Sequence, residues 1–467
     1  MASGLAFKTI RELRADLSKK EISPTELLDD VISRYEKLEP ELNMFAHVDF
    51  DSARKQAKDS EDRLMKGEIL GPLDGIPTSV KDLIAVEGMP QRFGSLATSD
   101  APMPADAPSV ERLRLAGAVI LGKSTTSEFG CKAVGDSPQT GITRNPWNTA
   151  KTPGGSSCGA AAMVAAGLVP YALGTDGGGS IRIPASLCNL FGIKANFGRV
   201  AVYPTSATPT LAHVGPLTRS VEDAAIALSV IGGTDWRDPF TIAGSQPDYS
   251  SAVNSKRRLR IAWSPTLGYG RVDPEVAAVT EKAVELISSL GYQVELVEKI
   301  MEDPIDLWMA EFYAGVGTRL RETIETKPDI IDPAVLVVLK DAINQDMKSY
   351  YQTVFQRYEF REKMRRLFSD YDILLTPTLP VAGFDVGLNV PPGYEDKTIV
   401  SWATFTYPFN LSGQPAASIP VGFSKDGLPI GLQAVAANHD ELSIVALAGS
   451  IEAALPGIPE RRPVVGR

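Results

Sequence analysis

Between Thr152 and Thr175 the chain runs for 24 residues without a charged side chain. A stretch of that length is either a membrane span or part of a buried core, and its composition decides between them. A spanning helix needs about 20 strongly apolar residues. Here Pro153, Gly154, Gly155, Ser156 and Ser157 stand at one end, Pro170 interrupts the run, and its apolar part is mostly Ala and Gly. The run therefore reads as a buried loop–helix–strand, with a helix over 157–167 and a strand over 168–173. The N-terminal segment MASGLAFKTIREL lacks both a long apolar stretch and a small-residue cleavage site, so no secretory leader is expected. The expectation is a cytoplasmic protein with no membrane partner.

The same alternation of strands and helices continues on both sides of the run. Ser23-Pro24-Thr25-Glu26 is a capping box with proline at the first helical position. Leu27, Leu28, Val31, Ile32, Tyr35 and Leu38 then follow at helical spacing. A more polar helix is expected over 52–66, and a strand over 76–80 with Lys81 at its end. Next come a short helix over 109–116, ended by Gly117, and a strand over 118–121. After the uncharged run come a Gly-rich turn and a helix over 183–190. Later elements are a strand over 259–263, a helix over 273–290 capped by Asp273, and a strand over 371–375. Two strands over 418–423 and 428–435 flank Ser424-Lys425-Asp426-Gly427 as a hairpin. Alternation of this kind argues for a parallel or mixed sheet with helices on both faces. The polar stretch 232–256 reads as a surface excursion.

Charge and composition exclude several function classes. Lys plus Arg number 47 and Asp plus Glu 57, a net charge of −10, which argues against nucleic-acid binding because that needs a basic footprint. The three histidines (His47, His213, His439) and three cysteines (Cys131, Cys158, Cys188) exclude a disulfide scaffold and a zinc-finger-like site. They also leave little material for histidine-based catalysis.

Two motif matches are weighed against their context. Residues 117–124, GAVILGKS, fit the phosphate-loop pattern letter for letter. In a phosphate loop, however, the middle residues stay as loop so that N–H groups can point at phosphates. Here those residues form a strand and the first glycine caps a helix. Residues 155–159, GSSCG, fit a nucleophile elbow centred on Ser157, which belongs between a buried strand and a helix and needs a later histidine. What precedes it is a polar loop over 148–153. His213 and His439 do follow, so the elbow keeps its histidine candidates.

A third constellation has no short pattern but better chemistry. Gly154-Gly155-Ser156-Ser157 is followed by Asp176-Gly177-Gly178-Gly179-Ser180-Ile181-Arg182, with Ser180 24 residues after Ser156, and Lys81 lies 75 residues before Ser156. Three glycines before a serine at a helix start let several N–H groups converge on one point, as an oxyanion site requires. The helix start itself favours negative charge. Taken singly, each Gly–Ser stretch is as well explained as a turn, and Lys81 as a solvated strand tip.

Taken together, these residues resemble the amidase signature family. Residues 152–168, 173–184 and 192–194 are similar to its signature block. Leu73-Asp74-Gly75-Ile76-Pro77 with Val80-Lys81-Asp82 resembles its lysine segment, and Thr143-Arg144-Asn145-Pro146-Trp147 its approach to the serines. LTPTLP at 375–380 and PFNLSGQPA at 408–416 resemble its C-terminal blocks. The resemblance implies one large α/β domain over 1–467, with a mixed, mostly parallel twisted sheet flanked by helices on both faces. Within it, 1–70 would be an N-terminal helical part and 73–230 and 257–467 the core. It implies an amidohydrolase that cuts a small-molecule carboxylic amide, aryl or aliphatic, or a hydrazide or ester, through a serine acyl-enzyme, with no cofactor and no metal. A homodimer is the candidate assembly.

By that resemblance Ser180 is the nucleophile, Ser156 a bridging serine after a cis peptide, and Lys81 the base. N–H groups of Gly177, Gly178, Gly179 and Ser180 would form the oxyanion hole. The chemistry is consistent, because a serine hydroxyl is a weak nucleophile without an adjacent base. A free lysine titrates near ~10.4, so Lys81 is expected to be buried, with bonds to Ser156 and Ser157. Asp176 and Arg182 are expected to brace the loop. Gly130 and Cys131 fall where family members contact substrate. Three positions depart from the family pattern. Cys158 stands where glycine is usual and reads as a small core residue. Gly177 replaces Thr or Ile, which should loosen the oxyanion turn or make room beside it. Ala195-Asn196 replaces Pro-Thr or Pro-Ser, which weighs against the main alternative, the amidase component of a glutamine-dependent tRNA amidotransferase. A catalytically silent scaffold is disfavoured because all three catalytic positions are filled.

Overall fold

The capping box at Ser23 forms in full: Ser23 Oγ accepts from Glu26 N at 3.1 Å, and the Glu26 carboxylate accepts from Ser23 N at 2.8 Å. It starts the helix Pro24–Leu42, and Asp49 caps a second one, Phe50–Lys66. The structure, a computed structural model, describes residues 4–465.

Thirteen strands follow in chain order among the described residues: β1 (Phe45–Val48), β2 (Pro77–Lys81), β3 (Val119–Ser124), β4 (Asp136–Ser137), β5 (Gly141–Ile142), β6 (Tyr171–Asp176), β7 (Phe191–Lys194), β8 (His213–Thr218), β9 (Arg260–Trp263), β10 (Gln293–Leu296), β11 (Ile373–Pro377), β12 (Ala416–Phe423) and β13 (Pro429–Ala436). Strands β4 and β5 pair alone, and the other eleven form one sheet in the order β1-β3-β2-β6-β8-β7-β12-β13-β11-β9-β10. The sheet is mixed. Its parallel junctions form two three-stranded blocks, β3-β2-β6 and β11-β9-β10. Antiparallel ladders run between the blocks and attach β1.

Side chains alternate across this sheet with the period of two that strands impose. Tyr171 and Leu173, Ile261 and Trp263, Ile373 and Leu375 enter one apolar layer. Their neighbours Ala172, Ala262 and Leu374 enter the layers on the opposite face. Helices Val221–Ile231, Pro274–Ser289 and Glu441–Ala454 cover the first face. Helices Pro24–Leu42, Cys158–Ala165, Ile305–Arg319 and Met347–Asp370 cover the second. One α/β domain with helices on both faces is the arrangement expected.

The uncharged run is the core segment its composition suggested: a loop, the helix Cys158–Ala165 and strand β6, nearly all buried. Among the described residues no helix is long and apolar enough to cross a membrane. The phosphate-loop pattern dissolves into structure. Gly117 follows the helix Pro108–Leu115 with φ 77°, where a Cβ would sit 2.4 Å from Asp74 Oδ1, and Val119–Ser124 are strand β3.

Candidate active site

Parallel pairing of β2 with β6 brings Lys81, the last residue of β2, beside the end of β6. There the Lys81 amine contacts Ser156 Oγ at 2.7 Å, Thr175 Oγ1 at 2.9 Å and Ser157 Oγ at 3.0 Å. Lys81 is fully buried, and among the described residues no carboxylate bonds its amine. Burial pulls its pKa down to about 7, with the negative charge of Asp176 opposing. The expected contacts with Ser156 and Ser157 are present. Thr175, the third partner, lies in the signature-like stretch 173–184 but has no role assigned to it there.

The Gly155–Ser156 peptide is cis. Gly155 is held against the backbone of Val134, where a Cβ would come within 2.2 Å of the carbonyl oxygen. Ser157 is committed by its own bonds: its hydroxyl donates to Thr175 O at 3.2 Å and its N–H to Ser180 O at 3.2 Å. His213 has no contact with it. The His213 ring faces the carbonyls of Leu211 and Asp176 and the Lys194 amine. These contacts leave the elbow reading without His213 as its histidine.

The turn that carries Ser180 is braced from several directions. The Asp176 carboxylate accepts from Gly179 N (2.7 Å), Ile181 N (3.3 Å), Arg182 (2.9 and 3.0 Å) and Asn410 Nδ2 (2.9 Å). Burial alone would raise the pKa of Asp176. The Arg182 guanidinium, Lys194 and Asn410 outweigh that and hold the carboxyl well below the usual range. Arg182, fully buried, also donates to Thr406 O, Gln433 Oε1 and Asn410 Oδ1. Asp176 and Arg182 therefore brace the loop.

The carbonyls of the turn are tied back by side chains from far along the sequence. Trp308 Nε1 donates to Gly177 O at 2.8 Å, and Thr406 Oγ1 to Gly178 O at 2.6 Å. The N–H groups of Gly177, Gly178 and Ser180 find no acceptor among the described residues. Gly179 differs from its neighbours. Its N–H is spent on Asp176, so it is not free to serve as an oxyanion donor. Trp308, Thr406, Asn410 and Gln433 escape a sequence reading because each lies more than 100 residues from the turn it holds.

A cavity of about 430 Å³ opens onto these groups, with Ser156, Thr175, Gly177, Ser180 and Gly130 in its wall. Gly130 lies against the bridging serine, since a Cβ there would be 3.2 Å from Ser156 Oγ. Cys131 does not line the cavity. It is packed among Trp308, Phe312 and Tyr313, where burial pushes its thiol well above the ordinary range. Cys158 opens the helix Cys158–Ala165, is fully enclosed and lies 3.5 Å from Thr125 Oγ1. Its thiol is also raised by burial, as suits a core residue rather than a nucleophile.

Residues 26–445 match the Amidase family. Over 463 residues the chain is 34% identical to an acylamidase from Rhodococcus erythropolis, spanning 97% of this chain and 96% of that one. It is 33% identical over 463 residues to a component of the glutamyl-tRNA(Gln) amidotransferase of Chloroflexus aurantiacus, spanning 94% of each. A solved bacterial aryl acylamidase of the amidase signature enzymes superposes with a TM-score of 0.91 at 29% identity, covering 99% of this chain and 100% of that one. The chain belongs to the amidase signature family.

Proposed function

We propose that this protein hydrolyses a small-molecule carboxylic amide through an acyl-enzyme on Ser180, with Lys81 as base and Ser156 as proton relay. The observation that carries the reading is the fully buried Lys81, whose amine meets three hydroxyls and no carboxylate. A neutral amine has two N–H donors and one lone pair. The donors suit Ser157 and Thr175, and the lone pair is left for the proton of Ser156.

In the proposed cycle Lys81 takes the Ser156 proton while Ser156 takes that of Ser180. Ser180 Oγ attacks the amide carbonyl, and the N–H groups of Gly177, Gly178 and Ser180 receive the developing oxyanion. Ser156 returns its proton to the leaving nitrogen as the C–N bond breaks, and Lys81 reprotonates Ser156. Water then attacks the Ser180 ester by the same relay, releasing the acid and restoring the Ser180 hydroxyl. Esters and hydrazides fit the same route, because only the leaving group changes. A cavity of about 430 Å³ is of the size that encloses a small molecule.

A second reading is favoured by the 33% identity to an amidotransferase component, which would work within an assembly and draw ammonia from glutamine. The two separate on the purified chain. A stand-alone amidase turns over a simple amide or anilide, whereas an isolated amidotransferase component shows little beyond glutaminase activity. The site assignment is tested by mass spectrometry after a fluorophosphonate probe, with the label expected on Ser180. A label on Ser157 or Cys158, or full turnover by Ser180→Ala, would overturn it.

A further inference from the structure

Phe93 and Phe129 hold backbone conformations that residues with side chains rarely adopt, with φ of 55° and 49° in the left-handed region. Such residues persist only where their surroundings hold them, and they concentrate at ligand sites. The two rings stack on each other, with centroids 5.6 Å apart and planes within 20° of parallel. Both line the cavity that contains Ser156 and Ser180. Phe129 N donates to Phe93 O at 2.8 Å, so backbone and rings are set as one unit.

The scaffold that holds this unit lies beneath it, in two buried carboxylates. Asp82 accepts from Arg92 N and from the Lys123 amine, each at 3.1 Å, and Lys123 also reaches Pro90 O at 3.3 Å. Glu128 accepts from Ser95 Oγ and Asp332 N, both at 2.7 Å. Between the two loops Gly94 permits a close approach, since a Cβ there would stand 2.6 Å from Thr126 O. The polar groups below are buried, while Phe93 and Phe129 stay half-buried at the cavity wall. Rings needed only for packing would be expected in the interior instead.

The stack also abuts the chemistry. Gly130, next to Phe129, lies against Ser156, where a Cβ would stand 3.2 Å from its hydroxyl oxygen. At the other reacting segment Gly177 lies under the edge of Phe312, where a Cβ would come within 2.7 Å of a ring carbon. Phe312 stacks on Trp308 at 4.5 Å. An aromatic surface therefore touches each segment that carries a reacting serine, and the absent side chain at 177 lets the second surface approach.

We propose that the Phe93–Phe129 stack seats a planar aryl group of the substrate, making this an amidase selective for aryl amides over aliphatic ones. The proposal rests on the amide-hydrolase reading and narrows it. A preformed ring pair favours a flat aromatic group through offset stacking, and its fixed backbone spares the ordering cost of binding.

The test compares wild type with Phe129→Leu, Phe129→Tyr and Phe129→Gly on three amides: acetanilide (ring on the amine), benzamide (ring on the acyl group) and butyramide (no ring). Wild type should prefer at least one ring-bearing amide over butyramide by about 10-fold in kcat/KM, and which one tells the side of the scissile bond the ring occupies. The leucine variant should lose most of that preference, chiefly through KM, and the tyrosine variant should keep it. The glycine variant should lose the preference yet melt at or above the wild-type temperature, because glycine bears no left-handed strain. A packing role would instead lower its melting temperature by several degrees. An unchanged preference in the leucine and glycine variants overturns the aryl seat and leaves amide hydrolysis standing. So does a wild type that turns over butyramide as readily as the ring-bearing amides. No turnover of any of the three, with Ser180 unlabelled by a fluorophosphonate, overturns both.

Discussion

Lys81 and Lys123 lie one register step apart on the paired parallel strands β2 and β3, and both are fully buried. Their surroundings differ in one respect. Lys123 meets the Asp82 carboxylate at 3.1 Å, whereas the partners of Lys81 are hydroxyls. Burial lowers the pKa of Lys123 as well, but Asp82 opposes it with opposite charge and a hydrogen bond. Lys81 has no such partner and is brought to about 7. Short-motif logic points to the other lysine, since Lys123 completes a phosphate-loop pattern and Lys81 completes none. For a buried amine, the charge of its partners, more than its burial, separates a structural cation from a candidate base.

The largest expected effect breaks the pair apart by activity. Lys81→Met should cost about 10³-fold or more in kcat/KM, within reach of what a positioned base and its relay contribute, while the protein still folds. Ser180→Ala should lose as much and also lose fluorophosphonate labelling. Lys123→Met should do the reverse. It strands the Asp82 carboxylate inside the fold, at a cost of about 3–5 kcal/mol, read as a fall in the denaturation midpoint. Whatever enzyme stays folded should keep the wild-type pH profile. If Lys81→Met left turnover intact, the distinction between the two lysines would fail.

Next in size is the response to pH. The proposed base must be neutral, so kcat/KM should rise with pH through about 7 in wild type and level off above it. Stability carries the same signature. Between about pH 7 and the ordinary lysine value of 10.5 the unfolded chain holds a proton on Lys81 that the folded chain has released. Stability from this residue therefore rises with pH across that window. At neutral pH, keeping the amine deprotonated costs about 4 kcal/mol. The melting temperature of Lys81→Met, measured relative to wild type, should accordingly decline as pH is raised from 7 to 10. A gap that moves the other way would reverse the sign and remove the lowered lysine from the account.

How far the sequence reveals this arrangement depends on the range of each interaction. Lys81, Ser156 and Ser180 are legible because their neighbours in sequence are also their neighbours in chemistry: a strand end, a Gly–Ser loop, a glycine turn at a helix start. The helices with caps at Ser23, Asp273 and Gly117 are legible for the same local reason. Strand β8 is not. Its Gly215 and Pro216 are poor strand formers, yet they pair opposite Gly174 and Leu173 in the middle of the sheet. Tertiary context overrides propensity there. Phe312, Trp308 and Thr406 are also hidden, because nothing local to residues 300–410 says that they will press on a turn at 177–180. Gly177 is the trace they leave, a missing side chain whose reason lies in the ring of Phe312.

The smallest expected effect tests the comparison at its finest point, the hydroxyl of Thr175. It accepts from the Lys81 amine at 2.9 Å, and a hydrogen bond accepted from an ammonium favours the charged form. Thr175→Val keeps the shape and removes the acceptor, so the pKa of Lys81 should fall and the acid limb of kcat/KM should move to lower pH by less than about one unit. Activity on the plateau should fall by less than about tenfold, since Ser156 and Ser157 remain. Thr175→Ser, which restores an acceptor, should return the limb to its wild-type position. Asp82→Asn, acting on the neighbouring lysine, should lower stability and leave the limb where it was. A limb that followed Asp82 rather than Thr175 would mean that Lys123 supplies the titrating amine, and the two lysines would exchange roles.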